Sequence, residues 1–102
     1  MKFLYKHKDT LLAEIYVDYV KGTVRVVNYT DDIMDKPFGV NDNPTIDDFE
    51  YLLEDRCFPR DRDMMKLHLE ELGILSYEPL EIIKKTKGKL EGDFYSLELV
   101  EE

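Results

Sequence analysis

The sequence predicts one α+β domain, in which a small antiparallel sheet, an N-terminal three-stranded meander plus a C-terminal strand, packs with about three helices. Residues 2–29 are rich in Val, Ile, Leu and Tyr, which favour strands, and polar patches divide them into three runs. Residues 43–88 carry helix start and stop signals, and residues 94–100 alternate apolar and polar side chains. A chain of 102 residues is long enough for one hydrophobic core, so a single domain over residues 1–102 is expected.

The pair Lys21-Gly22 predicts the turn between the second and third strands. If these two residues alone form the turn, the register follows directly. It places Asp18 opposite Arg25, Val17 opposite Val26 and Tyr19 opposite Val24. Because side chains alternate between the faces of a sheet, one apolar set then shares a face. This set is Ile15, Val17, Tyr19, Val24 and Val26.

Residues 30–44 are expected to form a long loop, because Asp, Asn, Gly and Pro are frequent there. Two starts are open for the first helix. Either Asn43 is the N-cap with Pro44 at the first helical position, or Thr45 is the cap with an acidic residue three positions later. This helix is expected to end near Arg56.

Two shorter helices and a strand complete the chain. Asp61 predicts the start of the second helix, because its carboxylate can cap free backbone N–H groups, and Gly73 predicts its end. Pro79 opens the third helix, which Gly88 is expected to end. The alternating stretch of residues 94–100 predicts a half-buried strand that joins the meander.

The composition limits the classes of function. Fourteen Lys and Arg against 23 Asp and Glu give a net charge of −9 at pH 7, which repels phosphate backbones and anionic lipid. Nucleic acid is therefore a disfavoured partner. No apolar run is long enough to cross a bilayer and no cleavable signal pattern opens the chain, so a cytoplasmic protein without a membrane is expected. Cys57 is the only cysteine, which excludes an intramolecular disulfide and a cysteine-rich zinc site.

The strongest local anomaly of charge is the segment of residues 56–62, where three arginines occur in an acidic chain. Arginine forks match phosphate and carboxylate groups, and arginines beside an aromatic residue are typical of protein interfaces. The candidate anion or partner contacts are Arg56, Phe58, Arg60 and Arg62. The alternative is that these arginines form local ion pairs that fix the loop, which is common in charge-dense loops. Their partners would be Asp55, Asp61 and Asp63.

Other patterns give weaker arguments for chemistry. Cys57 lies beside the arginines, but a nucleophile needs a base, and only His7 and His68 are available. A buried small-residue role is the stronger interpretation. The acids of residues 30–44 lack EF-hand spacing, so no metal is expected. No phosphate-binding glycine loop and no catalytic triad motif occurs, so neither a cofactor nor enzymatic activity is expected.

The second and third predicted helices also allow a helix-turn-helix interpretation. In it, the lysines at the end of the third helix contact phosphates. A recognition helix reads bases chiefly through its N-terminal residues, however, and here these are Glu78, Pro79 and Glu81, which repel the groove. Lysines in a last helical turn also complement the helix dipole. The lysines concerned are Lys84, Lys85, Lys87 and Lys89.

Two segments carry a family resemblance: YKHKDTLLAEI at residues 5–15, and RCFPRDR at residues 56–62 followed by LEELGI at residues 69–74. Together they resemble an uncharacterised family of small Firmicutes proteins and, more distantly, the N-terminal region of clostridial HipA-like proteins. In those larger proteins this region precedes a Ser/Thr kinase-like body. The resemblance therefore implies a stand-alone accessory or regulatory piece of a toxin-antitoxin-like system. The chain has no kinase catalytic loop, so no catalytic residue carries over.

The leading hypothesis is a non-catalytic protein-binding or regulatory module, whose acidic surface favours a basic protein partner. The alternative is a small-anion or nucleotide-binding protein that uses Arg56, Arg60 and Arg62. DNA binding through the third helix is the second alternative. An unpaired edge strand also leaves a homodimer open.

Overall fold

An antiparallel sheet of four strands forms one side of the molecule. In the computed structural model, which describes residues 1–61 and 63–102, the strands are β1 (Lys2–His7), β2 (Thr10–Asp18), β3 (Thr23–Asn28) and β4 (Tyr95–Glu101). Their order in the sheet is β3-β2-β1-β4, and every neighbouring pair is antiparallel. The predicted α+β class, with a three-stranded meander and a C-terminal strand, is confirmed.

The turn between β2 and β3 is longer than the two residues predicted. Asp18 pairs with Thr23, so residues 19–22 form the connection. Asp18 explains the extra length, because its carboxylate accepts a hydrogen bond of 3.0 Å from the backbone N–H of Lys21. Gly22 then reverses the chain with a φ of 69°, which glycine adopts without strain.

The longer turn changes the register between β2 and β3 but leaves each side chain on its predicted face of the sheet. The predicted pairs of Asp18 with Arg25, Val17 with Val26 and Tyr19 with Val24 are wrong, since Val17 lies opposite Val24. Only a shift by an odd number of residues would exchange the two faces, and this shift is by two. The strand members of the predicted apolar set therefore lie in or against the core: Ile15, Val17, Val24 and Val26.

Among the described residues, three α-helices connect β3 to β4: α1 (Ile46–Asp55), α2 (Met65–Leu72) and α3 (Pro79–Thr86). α1 begins at the second of its two predicted starts. Thr45 Oγ accepts a hydrogen bond from the N–H of Asp48, and the Asp48 carboxylate accepts one of 2.8 Å from the N–H of Thr45. None of the helices in the described part of the chain is long and apolar enough to cross a membrane.

The second helix differs from its prediction at its start. It begins at Met65, because Met64 adopts a left-handed conformation (φ 60°) that prevents the helix from extending back to Asp61. Its predicted end at Gly73 is confirmed. The predicted loop of residues 30–44 contains a short 3-10 helix, Ile33–Asp35, which was not predicted.

The core lies between one face of the sheet and the helices. α1 contacts β3 and α3, and α3 contacts β4. Burying each large apolar side chain here contributes roughly 1.5–3 kcal/mol. The largest fully buried members are Phe3, Ile15, Phe49, Leu53, Ile82, Ile83 and Leu97.

Candidate functional site

Arg56, the first of the predicted contact residues, points into the molecule and is 6% exposed. Its Nε donates to the carbonyl of Gly88 (2.9 Å), and its Nη atoms donate to both carboxylate oxygens of Asp93 (2.9 and 3.0 Å). Nη2 also donates to the carbonyl of Tyr95 (2.9 Å). These bonds tie the end of α1 to the connection between α3 and β4. The guanidinium is therefore already occupied within the fold.

Arg60 is exposed and Phe58 is buried, and both contact Tyr77 in the connection between α2 and α3. Arg60 Nε donates to Glu54 (2.6 Å), and its guanidinium lies 4.5 Å from the centroid of the Tyr77 ring. The rings of Phe58 and Tyr77 are 5.9 Å apart, and the Tyr77 hydroxyl donates to the Phe58 carbonyl (2.6 Å). The structure thus brings Phe58 and Arg60 together and separates Arg56 from them.

The remaining predictions for this segment have mixed outcomes. The predicted local ion pairs with Asp55, Asp61 and Asp63 are wrong for Arg56 and Arg60, whose partners are Asp93 and Glu54. The physical reason is that Arg56 turns inward, where the α3–β4 connection supplies its carboxylate. Arg62, the fourth predicted contact, lies outside the described residues.

Cys57 is buried at 5% exposure, and its Sγ donates to the carbonyl of Leu53 (3.1 Å). Burial, with the nearby charge of Glu54, raises the pKa of the thiol to about 12. The thiol is therefore protonated at neutral pH, and a protonated thiol is a poor nucleophile. This placement fits the buried small-residue interpretation.

A groove of about 670 Å³ runs between the end of α1, residues 57–61 and residues 90–91; we call it the acidic groove. Cys57 and Phe58 are buried and Leu90 is half-buried, so these side chains form its floor. Four exposed carboxylates surround them. They belong to Glu54, Asp55, Asp61 and Glu91, and Pro59 completes the lining.

Most of these carboxylates lack a compensating charge. Glu54 pairs with Arg60, whereas Asp55, Asp61 and Glu91 form no ion pair with any residue that the structure describes. Glu54 and Asp55 also occupy the last turn of α1, where the helix dipole disfavours negative charge. Helix stability does not explain carboxylates at this position.

The exposed face of α1 extends this negative surface. A second depression of about 350 Å³ lies beside it, and Asp55 lines both concavities. Tyr51 is 78% exposed between the carboxylates of the helix. The exposed residues of α1 are Asp47, Glu50, Tyr51, Glu54 and Asp55. The sequence signal for this surface is the pair of acids at the C-terminal end of the helix, Glu54 and Asp55.

Two of the acids of the loop before α1 have structural partners. Asp32 accepts a hydrogen bond from the N–H of Met34 (3.0 Å), and Asp35 accepts one from the Tyr95 hydroxyl (2.7 Å). Within residues 1–61 and 63–102, no group of three or more His, Cys, Asp or Glu residues is placed to hold a metal ion.

The lysines of the helix-turn-helix interpretation do not act as one set. Lys84 pairs with Glu81 (3.4 Å) and Glu102 (3.0 Å), whereas Lys89 lies beyond the helix in the connection to β4. α3 itself is anchored in the core by Ile82 and Ile83.

No protein-family model, curated protein or solved structure matches the chain. The resemblance to HipA-like proteins therefore stays a prediction, and the argument for function depends on the acidic groove.

Proposed function

We propose that the chain is a non-catalytic protein-binding module that holds a basic segment of a partner protein in the acidic groove. The observation that supports this proposal is the apolar floor of Phe58 and Leu90, surrounded by four carboxylates of which three form no ion pair with a described residue. An apolar floor favours burial of an anchoring side chain, and the surrounding carboxylates attract Lys and Arg. Long basic side chains suit both surfaces, since their stems are apolar and their ends are charged.

The chain contains an internal example of this mode of recognition. The guanidinium of Arg60 lies between the Glu54 carboxylate and the face of the Tyr77 ring. A partner arginine at Asp55 or Glu91 would likewise meet a carboxylate beside an apolar surface, in this case the floor of Phe58 and Leu90. The partner segment is therefore rich in Lys and Arg and carries an apolar anchor.

As the family resemblance implies, we infer that this partner belongs to a toxin-antitoxin-like system, in which the chain is an accessory or regulatory piece. An acidic module that covers a basic segment would block whatever that segment otherwise binds. The net charge of −9 also speeds encounter with a basic partner.

The test compares two charge-matched variants. Asp55→Lys with Glu91→Lys reverses two carboxylates of the acidic groove, and Asp31→Lys with Asp42→Lys reverses two exposed carboxylates of the loop before α1. Each variant is used for affinity purification from the source cell, with quantitative mass spectrometry and cross-linking.

We expect the control variant to retain a partner that cross-links through a basic segment and the groove variant to lose it. Equal recovery of that partner by both variants, or equal loss, would contradict the proposal. Circular dichroism and thermal melting establish that both variants are folded.

A further inference from the structure

A third concavity lies between the β1–β2 turn and the connection from α3 to β4. Its volume is about 290 Å³, and it shares only Leu90 with the acidic groove. Its lining residues are Lys8, Asp9, Lys89, Leu90, Asp93, Phe94, Tyr95 and Ser96. We call it the lysine pocket.

Ser96 gives this pocket a hydroxyl that is available to a ligand. The residue is 8% exposed, and its hydroxyl makes no hydrogen bond with any residue in the described part of the chain. Among the described residues, Asn28 Oδ1 is the one buried side-chain polar atom without a hydrogen-bond partner, so the Ser96 hydroxyl reaches solvent through the pocket. It can therefore donate to a ligand that enters there.

Two lysines line the same pocket as Ser96, and a third lies on the same face of the sheet. Lys8 and Lys89 line the pocket, and Lys6 lies directly opposite Ser96 in the β1–β4 register, so its side chain shares that face of the sheet. None of the three forms an ion pair with a residue that the structure describes. In a chain with an excess of acids, such a group of free ammonium ions indicates a site for an anion.

The carboxylates of the pocket leave this charge positive. Asp93 is already held by Arg56 through two hydrogen bonds, which also lower the pKa of its carboxyl. Asp9 is the other lining carboxylate, and its single negative charge is smaller than the two positive charges of Lys8 and Lys89.

An aromatic surface lies next to the lysines. The ring of Phe94 is 66% exposed, and the Lys8 ammonium lies 5.0 Å from its centroid. The His7 ring packs edge-on against Phe94 at 6.3 Å. The backbone fixes this arrangement, because the N–H of Lys8 donates to the Phe94 carbonyl (2.8 Å) while Lys8 holds a left-handed φ of 55°. Such a conformation is uncommon for a residue other than glycine.

From these observations we infer that the lysine pocket binds the phosphate group of a small molecule that carries a flat ring. The Ser96 hydroxyl donates to a phosphate oxygen, Lys8 and Lys89 neutralise its charge, and the ring stacks on Phe94. This site shares only Leu90 with the acidic groove, and its phosphate contacts are lysines instead of the arginines of residues 56–62.

The test is a titration of the ¹⁵N-labelled chain, followed by NMR, with three probes: AMP, inorganic phosphate and adenosine. We expect AMP to shift the amide signals of Lys8, Phe94 and Ser96. Phosphate shifts the same signals with weaker affinity, and adenosine binds more weakly than AMP. High salt reduces the affinity for AMP, because the contacts are largely ionic.

Variants assign the contacts. Lys8→Gln with Lys89→Gln lowers the affinity for AMP by about 10-fold, as expected for the loss of two exposed ionic contacts. Ser96→Ala lowers it by about 5-fold, the value of one neutral hydrogen bond. The charge-matched control, Lys21→Gln with Lys66→Gln, leaves it unchanged.

The inference is overturned if millimolar AMP shifts none of these signals, or if the lysine variant binds as tightly as the unaltered chain. Shifts centred on Phe58 and Arg60 would also overturn it, because they would indicate that the anion binds to residues 56–62 instead. Lys8 and Lys89 are exposed, so replacing them should not unfold the chain. The lysine variant therefore tests the inference even if Ser96→Ala is unstable.

Discussion

Replacing Arg56 with alanine is expected to lower the free energy of unfolding by about 4 kcal/mol. Removing one partner of a buried ion pair costs about 3–5 kcal/mol. The Asp93 side chain is 34% exposed, so water partly solvates the released carboxylate and the cost falls at the lower end of this range. The buried Gly88 carbonyl also loses its donor, which adds about 1 kcal/mol. This sum is a large part of the stability of a small domain.

Urea unfolding followed by circular dichroism measures this loss. With a slope of about 2 kcal/mol per molar urea, the midpoint should fall by about 2 M. Arg56→Lys keeps the charge but not the planar fork, so an intermediate loss is expected. Arg60→Ala is the matched control, because its ion pair with Glu54 is exposed, and we expect a much smaller change. A loss below about 1 kcal/mol for Arg56→Ala, or equal losses for both arginines, would refute the structural role of Arg56.

Three further predictions concern local features. Gly88→Ala should lower the melting temperature far more than Gly39→Ala. Both glycines have positive φ, so the backbone strain is similar. An added Cβ at Gly88 would lie 2.7 Å from a backbone nitrogen of β4, whereas an added Cβ at Gly39 would meet open space. The Glu14 carboxyl should titrate with a pKa of about 2, chiefly because the Tyr29 hydroxyl donates to it. The contribution of this carboxylate to stability is then complete above its ordinary pKa of 4.5 and is lost as the pH falls towards 2. In an NMR titration, Tyr29→Phe should raise the pKa of Glu14 in the folded chain. A thiol reagent at pH 8 should label Cys57 far more slowly in the folded chain than in urea, and equal rates would contradict its burial.

Local signals in the sequence were sufficient to predict most of the elements. The capping pair of Thr45 and Asp48 is a short-range signal, and so is the alternation that predicted β4. The turn after β2 was mispredicted because the Asp18 carboxylate bonds to the backbone three residues later, and the two-residue interpretation did not include that bond. The start of α2 was mispredicted because the backbone of Met64 adopts a conformation for which its residue type gives no signal.

The candidate site depended on contacts between distant parts of the chain. Arg56 meets Asp93 across 37 positions, so its sequence neighbours gave the wrong partners. The acidic groove likewise combines the end of α1 with Leu90 and Glu91, and no short window of sequence contains both. Composition predicted a basic partner, but only the fold indicates which carboxylates would meet it.

The most direct test of the proposed function is an NMR titration of the ¹⁵N-labelled chain with a short peptide of Lys and Arg around one Leu anchor. The account predicts shifts at Asp55, Phe58, Leu90 and Glu91, lost in Asp55→Lys with Glu91→Lys and kept in Asp31→Lys with Asp42→Lys. Replacing the Leu anchor with Ser should weaken binding, because Ser buries less apolar surface against the floor of the groove. Shifts spread evenly over the acidic surface, or identical binding by both variants, would contradict the account.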